Sequence, residues 1–361
     1  MSLSFPLHAN PSPKTDTEIA KVFADPGFGE YFTDHMAVAT WKKGKGWFGD
    51  QLAPYGPFQL DPAAAVLHYG QEIFEGLKAY RHFDNSIWLF RPDENARRLN
   101  ASAARLMLPE LPVEDFVQAV RRLVEVDARW VPLSEGEKSL YLRPFMFANE
   151  TFLGVRAAET VTFCVIASPV APYFAGGVRP VDIWVTDKYS RAGQGGTGAA
   201  KCGGNYASSL IAQYEGYDHG CPQVLFLEAS GKDRVEELGG MNVMLVTGDG
   251  KLLTPALTGT ILDGITRKSV LQVAADLGLE PVETRLGAED IFDKVASGEV
   301  VEAFSCGTAA VISPIGSFKS QAGQFKLAQP AGQHTLAIRE RLVDIQYGRH
   351  EDVHHWMTRV C

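Results

Sequence analysis

Strand-length apolar runs and helix-length amphipathic segments interleave along the whole chain, and this restricts it to a mixed α/β architecture. Strands are predicted at Met36–Trp41, Ser86–Phe90, Ser139–Phe145, Thr160–Ala167, Val181–Thr186, Gln223–Glu228, Val243–Thr247 and Val300–Ser305. Helices are predicted at Glu94–Met107, Val113–Trp130, Gly264–Leu277 (closed by Gly278), Ala288–Ala296 and His334–Tyr347. The second of these is the clearest: Val113, Phe116, Val117, Val120, Leu123 and Val124 fall on one face. A helix entry is expected at Asp61–Tyr69 with Pro62 in its first position. Residues 1–30 read as an irregular lead-in, and Asp249-Gly250 as a hairpin turn. Proline, glycine and small residues concentrate at 168–180, SPVAPYFAGGVRP. A linker is expected there, between an N-terminal domain of residues 1–167 and a C-terminal domain of residues 181–361.

Composition excludes several classes. With 361 residues, 45% of them hydrophobic and 21% charged, the chain is neither disordered nor a small disulfide scaffold. A net charge of −9 argues against nucleic acid as a partner. The longest uncharged stretch, Thr160–Val178, contains Pro169, Pro172, Gly176 and Gly177 and reads as a buried strand and loop, not a membrane span. Five irregularly spaced cysteines, and no signal-like apolar run near the N-terminus, point to the cytoplasm.

Two motifs invite readings that their context rejects. Gly193-Gln-Gly195-Gly-Thr-Gly198 matches G-x-G-x-x-G, but Asp187–Ala192 separates it from the strand that a dinucleotide fingerprint needs, so a nicotinamide oxidoreductase is disfavoured. His350-Glu351-Asp352-Val353-His354 matches H-E-x-x-H, but follows Gly348 close to the C-terminus, where a solvated, frayed tail is the simpler reading; no metal site is expected. His68 reads as a structural residue.

The chemistry is concentrated in GGTGAAKCGGNYASSL, residues 195–210. Lys201 lies between two clusters of small residues, which admit backbone close to a planar ligand. A lysine held away from water there is a nucleophilic amine, and Tyr206 could hydrogen-bond a phenolate-like oxygen. In RVEELGGMN (234–242) a carboxylate precedes Gly239-Gly240 and could keep a ring nitrogen protonated, although Glu236 and Glu237 together also look like an exposed acidic turn. Gly264, Ile265 and Thr266 open a helix whose amides favour a phosphate. Ser305–Ala309 ends a strand in small polar residues.

Taken with LHYGQEIFEGLKAYR (67–81), SLYLRP (139–144), GITRKS (264–269) and CGTAA (306–310), this order of motifs resembles the branched-chain amino acid aminotransferases. These are pyridoxal 5'-phosphate enzymes of fold type IV. The resemblance implies a smaller N-terminal α/β domain and a larger C-terminal cofactor domain with a pseudo-barrel core. It implies a cytoplasmic homodimer that moves the amino group between leucine, isoleucine or valine and 2-oxoglutarate. Lys201 would carry the cofactor as a Schiff base and shuttle the proton; Glu237 would meet the pyridine nitrogen and Tyr206 the ring hydroxyl. Arg98, the amides of Ile265 and Thr266, and the Thr308 hydroxyl would meet the phosphate. Phe32, Tyr69, Phe74, Tyr141 and Val155, the last from the partner subunit, would line an apolar pocket. Arg143 would take the distal carboxylate of glutamate, and amides near Thr308 and Ala309 the α-carboxylate. Gly240 stands where many relatives carry Thr. The nearest rivals are a D-amino-acid transaminase or an aminodeoxychorismate lyase of the same fold. A catalytically dead scaffold is the non-enzyme alternative.

Overall fold

The apolar runs fold into two sheets, one in each of two compact units of the chain. The computed structural model describes residues 2–171, 177–231 and 233–361. The first unit comprises residues 1–172, 200–203 and 345–361, and the second residues 173–199 and 204–344.

The first unit opens with a helix in place of the irregular lead-in. This helix, α1 (Asp16–Ala24), is started by a capping box, with Thr15 and Glu18 satisfying each other's amides. Then follow β1 (His35–Lys42), β2 (Gly46–Pro54), α2 (Ala65–Tyr69), β3 (Glu72–Phe74), β4 (Leu77–Arg81) and β5 (Ile87–Phe90). Helix α2 starts later than the Pro62 signal suggests, because Asp61 turns the chain by accepting from the Ala63 amide. Helices α3 (Pro92–Arg105) and α4 (Val113–Val126) come next, then β6 (Ser139–Ala148) and β7 (Thr160–Val170). Val113–Trp130 thus divides into α4 and a short 3₁₀ turn at Ala128–Trp130. Ser168–Val170 continue β7, whereas residues 172–176 of the anticipated linker lie outside the described residues. The sheet is antiparallel, in the order β5-β4-β6-β7-β1-β2 with β3 beside β6. Its core face and the apolar faces of α3 and α4 share one cluster that includes Leu99, Phe116, Leu123, Leu142 and Phe163.

The second unit carries β8 (Val181–Thr186), α5 (Gly203–Asp218, joined from Gly204), β9 (Gln223–Leu227), β10 (Val235–Leu238), β11 (Asn242–Thr247) and β12 (Lys251–Pro255). It continues with α6 (Ile265–Asp276), β13 (Glu280–Thr284), α7 (Ala288–Ser297), β14 (Val300–Gly307), β15 (Val311–Ser320), β16 (Gly323–Lys326) and α8 (Gln333–Gln346). The sheet runs β10-β9-β8-β15-β14-β11-β12-β13, with β16 on β15. It is mixed: β8 is parallel to both β9 and β15, and β12 to β13. The β11–β12 turn passes through Gly250 at φ +88°, where a side chain would be strained.

The chain then ends in the first sheet. β17 (Met357–Arg359) pairs with β5, the Ile87 amide donates to the Cys361 carbonyl, and Val360 is buried. The last residues are therefore an ordered edge strand, whereas His350–His354, expected as a solvated tail, is the largely exposed loop that leads into it. His350–His354 lies outside any helix, and no cluster of metal-ligating side chains occurs among the described residues. No described helix is long and apolar enough to cross a membrane.

Candidate active site

In the first unit, strand register builds one half-buried face. In β6, Leu140, Leu142 and Met146 are fully buried in the core, so Tyr141, Arg143 and Phe145 turn to the other side. The β3–β6 register opposes Glu72 to Phe147 and Phe74 to Phe145, which puts Glu72 and Phe74 on the same side as Tyr141 and Arg143. Arg143 lies over the rings of Phe74 (4.8 Å) and Tyr141 (5.4 Å), and its Nη2 donates to the Tyr141 hydroxyl at 3.1 Å. Its buried Nε has no hydrogen-bond partner, and it makes no ion pair among the described residues. Phe58 packs edge-on against Phe145 and Phe147, and Phe28 meets Tyr141 at a tilt, so the cation stands among aromatic walls.

Lys201 reaches this face: its Nζ lies 4.7 Å from the centre of the Phe74 ring. Its backbone is pinned at both ends, the carbonyl accepting from the Phe74 amide at 2.9 Å and the amide donating to the Ser102 hydroxyl at 2.9 Å. Ser102 belongs to a helix face on α3 that also carries Asn95 and Arg98, at spacings of three and four residues. Arg98 grips Glu75 at two points, Nε to Oε1 and Nη2 to Oε2, both 2.8 Å, and Asn95 donates to the same carboxylate at 2.7 Å. Burial pushes the Lys201 amine down to about 8; Arg98 acts in the same direction and Glu75 against it.

In the second unit, β10 holds its carboxylates inside. Glu236 and Glu237 are both buried, so the exposed-turn reading of this pair does not hold. Burial pushes the Glu236 carboxyl up. Glu237 is ion-paired to buried Arg191 at 2.9 Å and accepts from the Leu262 amide (2.8 Å) and from Asn242 Nδ2 (3.3 Å). Asn242 also abuts Gly264, where a Cβ would overlap its Oδ1. The N-terminus of α6 is thereby drawn to Glu237. That helix starts at Gly264 with no side-chain cap, and Ile265 and Thr266 are buried. A Cβ at Gly240 would lie 3.6 Å from the Tyr206 ring, and one at Gly307 would lie 3.6 Å from the Gly240 carbonyl. Tyr206, Glu237, Ile265, Thr266 and the Thr308–Ala309 turn after β14 are thus linked through the 240–242 segment.

The remaining expected residues lie apart from these contacts. Phe32 stacks on Tyr55 at 4.9 Å. Tyr69 is on α2, half-exposed, its hydroxyl donating to the Leu153 carbonyl. Val155 is 88% exposed in the single chain. His68 is structural, meeting the Pro62 carbonyl. Residues 193–200 form a loop that neither follows a strand directly nor opens a helix, contrary to a dinucleotide site.

Sequence reasoning missed Glu72, Glu75, Asn95, Ser102, Arg191 and Asn242. Only the spacing of Asn95, Arg98 and Ser102 on one helix stripe was a usable signal. The others are polar residues whose role depends on long-range pairing.

A family model of Amino-transferase class IV matches residues 72–318. The chain belongs to the class IV aminotransferases, and within them to the branched-chain-amino-acid aminotransferases. It is 50% identical to the branched-chain-amino-acid aminotransferase of Mycolicibacterium smegmatis over 363 residues, 99% of this chain and 98% of that one. Its fold matches the crystal structure of the Escherichia coli branched-chain amino acid aminotransferase with a TM-score of 0.73 at 27% identity, covering 90% of this chain and all of that one. It matches the T.th. branched-chain amino acid aminotransferase with pyridoxamine 5'-phosphate with a TM-score of 0.74 at 25% identity, covering 90% and 99%.

The donor set fits pyridoxal phosphate. A desolvated amine brought down to about 8 gives up its proton more readily than a free lysine, which suits covalent attachment to an aldehyde. A buried carboxylate ion-paired to a buried arginine suits a pyridine nitrogen. An uncapped helix N-terminus suits a phosphate.

Proposed function

We propose that this chain is a pyridoxal-phosphate transaminase that exchanges the amino group between leucine, isoleucine or valine and 2-oxoglutarate, as a cytoplasmic homodimer. The observation that carries the substrate reading is Arg143: a guanidinium with an orphaned Nε, set among Phe74, Tyr141 and Phe145 on the face that Lys201 reaches. An apolar side chain meets the rings, and a distal carboxylate meets the cation, in alternate half-reactions.

When bound, the cofactor supplies the electron sink that makes the substrate α-proton removable. Lys201 would hold the cofactor and would be the base that moves that proton from the substrate Cα. Glu237, held by Arg191 and Asn242, keeps a proton on the pyridine nitrogen. Tyr206 orients the ring hydroxyl. Arg98, the Ile265 and Thr266 amides and Thr308 anchor the phosphate, while amides at Thr308 and Ala309 hold the substrate α-carboxylate. Phe32, Tyr69, Phe74 and Tyr141 close the pocket. Val155 of each chain serves the other, and exposed Leu67, Leu153 and Val155 form the apolar surface of that contact. Four of the five cysteines are buried as thiols, in keeping with a reducing compartment.

Arg143→Gln tests the substrate reading. The KM for 2-oxoglutarate should rise about 10–100-fold through loss of a charge-assisted contact, with leucine changed less than about twofold. Equal losses for both would contradict the role.

A further inference from the structure

Arg143 raises a physical difficulty. A cation among aromatic rings suits a carboxylate, yet in the other half-reaction the same space must take a hydrocarbon, which leaves the charge desolvated. Something must offset it without closing it to a ligand.

Glu72 is placed to do this. The β3–β6 register puts it on the half-buried face with Phe74 and Arg143. Its Oε1 accepts from the amide of Gly203, the first residue of the sixteen-residue α5, so its carboxylate sits at a helix N-terminus. A Cβ on Gly203 would overlap that same oxygen, so the glycine admits the close contact. Burial pushes the Glu72 carboxyl up, while the Gly203 amide and the Arg143 charge draw it back towards ionisation. The two side chains feel each other electrostatically, yet neither makes an ion pair among the described residues. A closed pair would have used the guanidinium fork, whereas a carboxylate standing off leaves it open.

We propose that Glu72 is a specificity-determining residue that balances Arg143, its fixed negative charge lowering the penalty of an apolar side chain beside the guanidinium and competing with an incoming distal carboxylate. This deepens the substrate reading above and rests on Arg143 being the carboxylate-binding group.

The test uses the holoenzyme and two unreactive probes, glutarate and 4-methylpentanoate, with binding measured by calorimetry beside the KM values for leucine and for 2-oxoglutarate. Glu72→Gln keeps an acceptor for the Gly203 amide and removes only the charge. It should tighten glutarate and lower the KM for 2-oxoglutarate, and weaken 4-methylpentanoate and raise the KM for leucine, each by about threefold to tenfold for one charge at partly buried range. Glu72→Asp keeps the charge and should leave the ratio of the two probes within about twofold of wild type, a screened displacement of one methylene. Shifts of the same sign for both probes in Glu72→Gln, no shift, or a Glu72→Asp variant that behaves like Glu72→Gln would overturn the proposal and leave Glu72 as a helix cap. Arg143→Gln, run in parallel, separates the two claims. If it weakens both probes equally, the reading of Arg143 fails; if it weakens glutarate alone while Glu72→Gln does nothing, only the role of Glu72 fails.

Discussion

Lys201 shows at the scale of one residue how function works against stability. Its amine is brought from 10.5 to about 8 chiefly by burial. The charged form is therefore disfavoured in the folded protein, and the penalty is present in full below about pH 8 and fades as the pH rises from 8 to 10.5. Lys201→Met, which keeps the length and removes the charge, should stabilise the cofactor-free fold at pH 7 by up to roughly 3 kcal/mol, and the gain should vanish above pH 10.5. Chemical denaturation of both proteins at pH 7 and pH 10.5 measures this. A destabilised variant at pH 7 would mean that the amine is not desolvated. The lysine was legible in the sequence because small residues flank it on both sides. Its supports were not: Glu75 and Ser102 carry no local signature, and they become partners of Arg98 and Lys201 only when α3 packs beside β3 and β4.

At the scale of elements, legibility follows periodicity. Helices α3, α4, α6 and α7 repeat apolar residues at helical spacing, and the predicted bounds fall within a few residues of the observed ones. β3, β10 and β17 are three or four residues long, too short for an alternation to register, and α1 is announced by its cap, Thr15 with Glu18, more than by its stripe. Glu236 and Glu237 looked solvated because no local feature tells an acidic strand from an acidic turn. The corner between β3 and β4 offers a direct check on the sheet face. A Cβ at Gly76 would overlap the Tyr141 hydroxyl. Gly76→Ala should displace that ring and raise the KM for leucine severalfold, since a badly filled apolar pocket loses about 1–3 kcal/mol. Melting should show a smaller loss than an equivalent core substitution, because Tyr141 can move outward from a half-buried position. An unchanged KM would place Tyr141 outside the pocket.

At the scale of the whole molecule, several of the apolar side chains left exposed on the single chain lie on α2 and the segment after β6. Leu67 is 58% exposed, Leu153 61% and Val155 88%, and the hydroxyl of half-exposed Tyr69 ties α2 to Leu153. Burying such a cluster against a second copy accounts for it better than solvent does. Sedimentation should find two chains per particle. If Val155 lies in the proposed contact and lines the proposed partner pocket, Val155→Glu should shift the particle towards one chain and reduce activity. A dissociated variant with full activity would refute the shared site.

The activity that fold, site and family share is the transfer of amino groups between branched-chain L-amino acids and 2-oxoglutarate. The most direct measurement is the production of glutamate by the purified protein with pyridoxal phosphate and 2-oxoglutarate, using L-leucine, L-isoleucine, L-valine and D-alanine in turn as amino donors. Sustained turnover is expected with all three branched donors and at most a trace with D-alanine, together with a visible absorbance band that shifts on adding L-leucine. Turnover with D-alanine but not with L-leucine, or a colourless protein that takes up no cofactor, would contradict it.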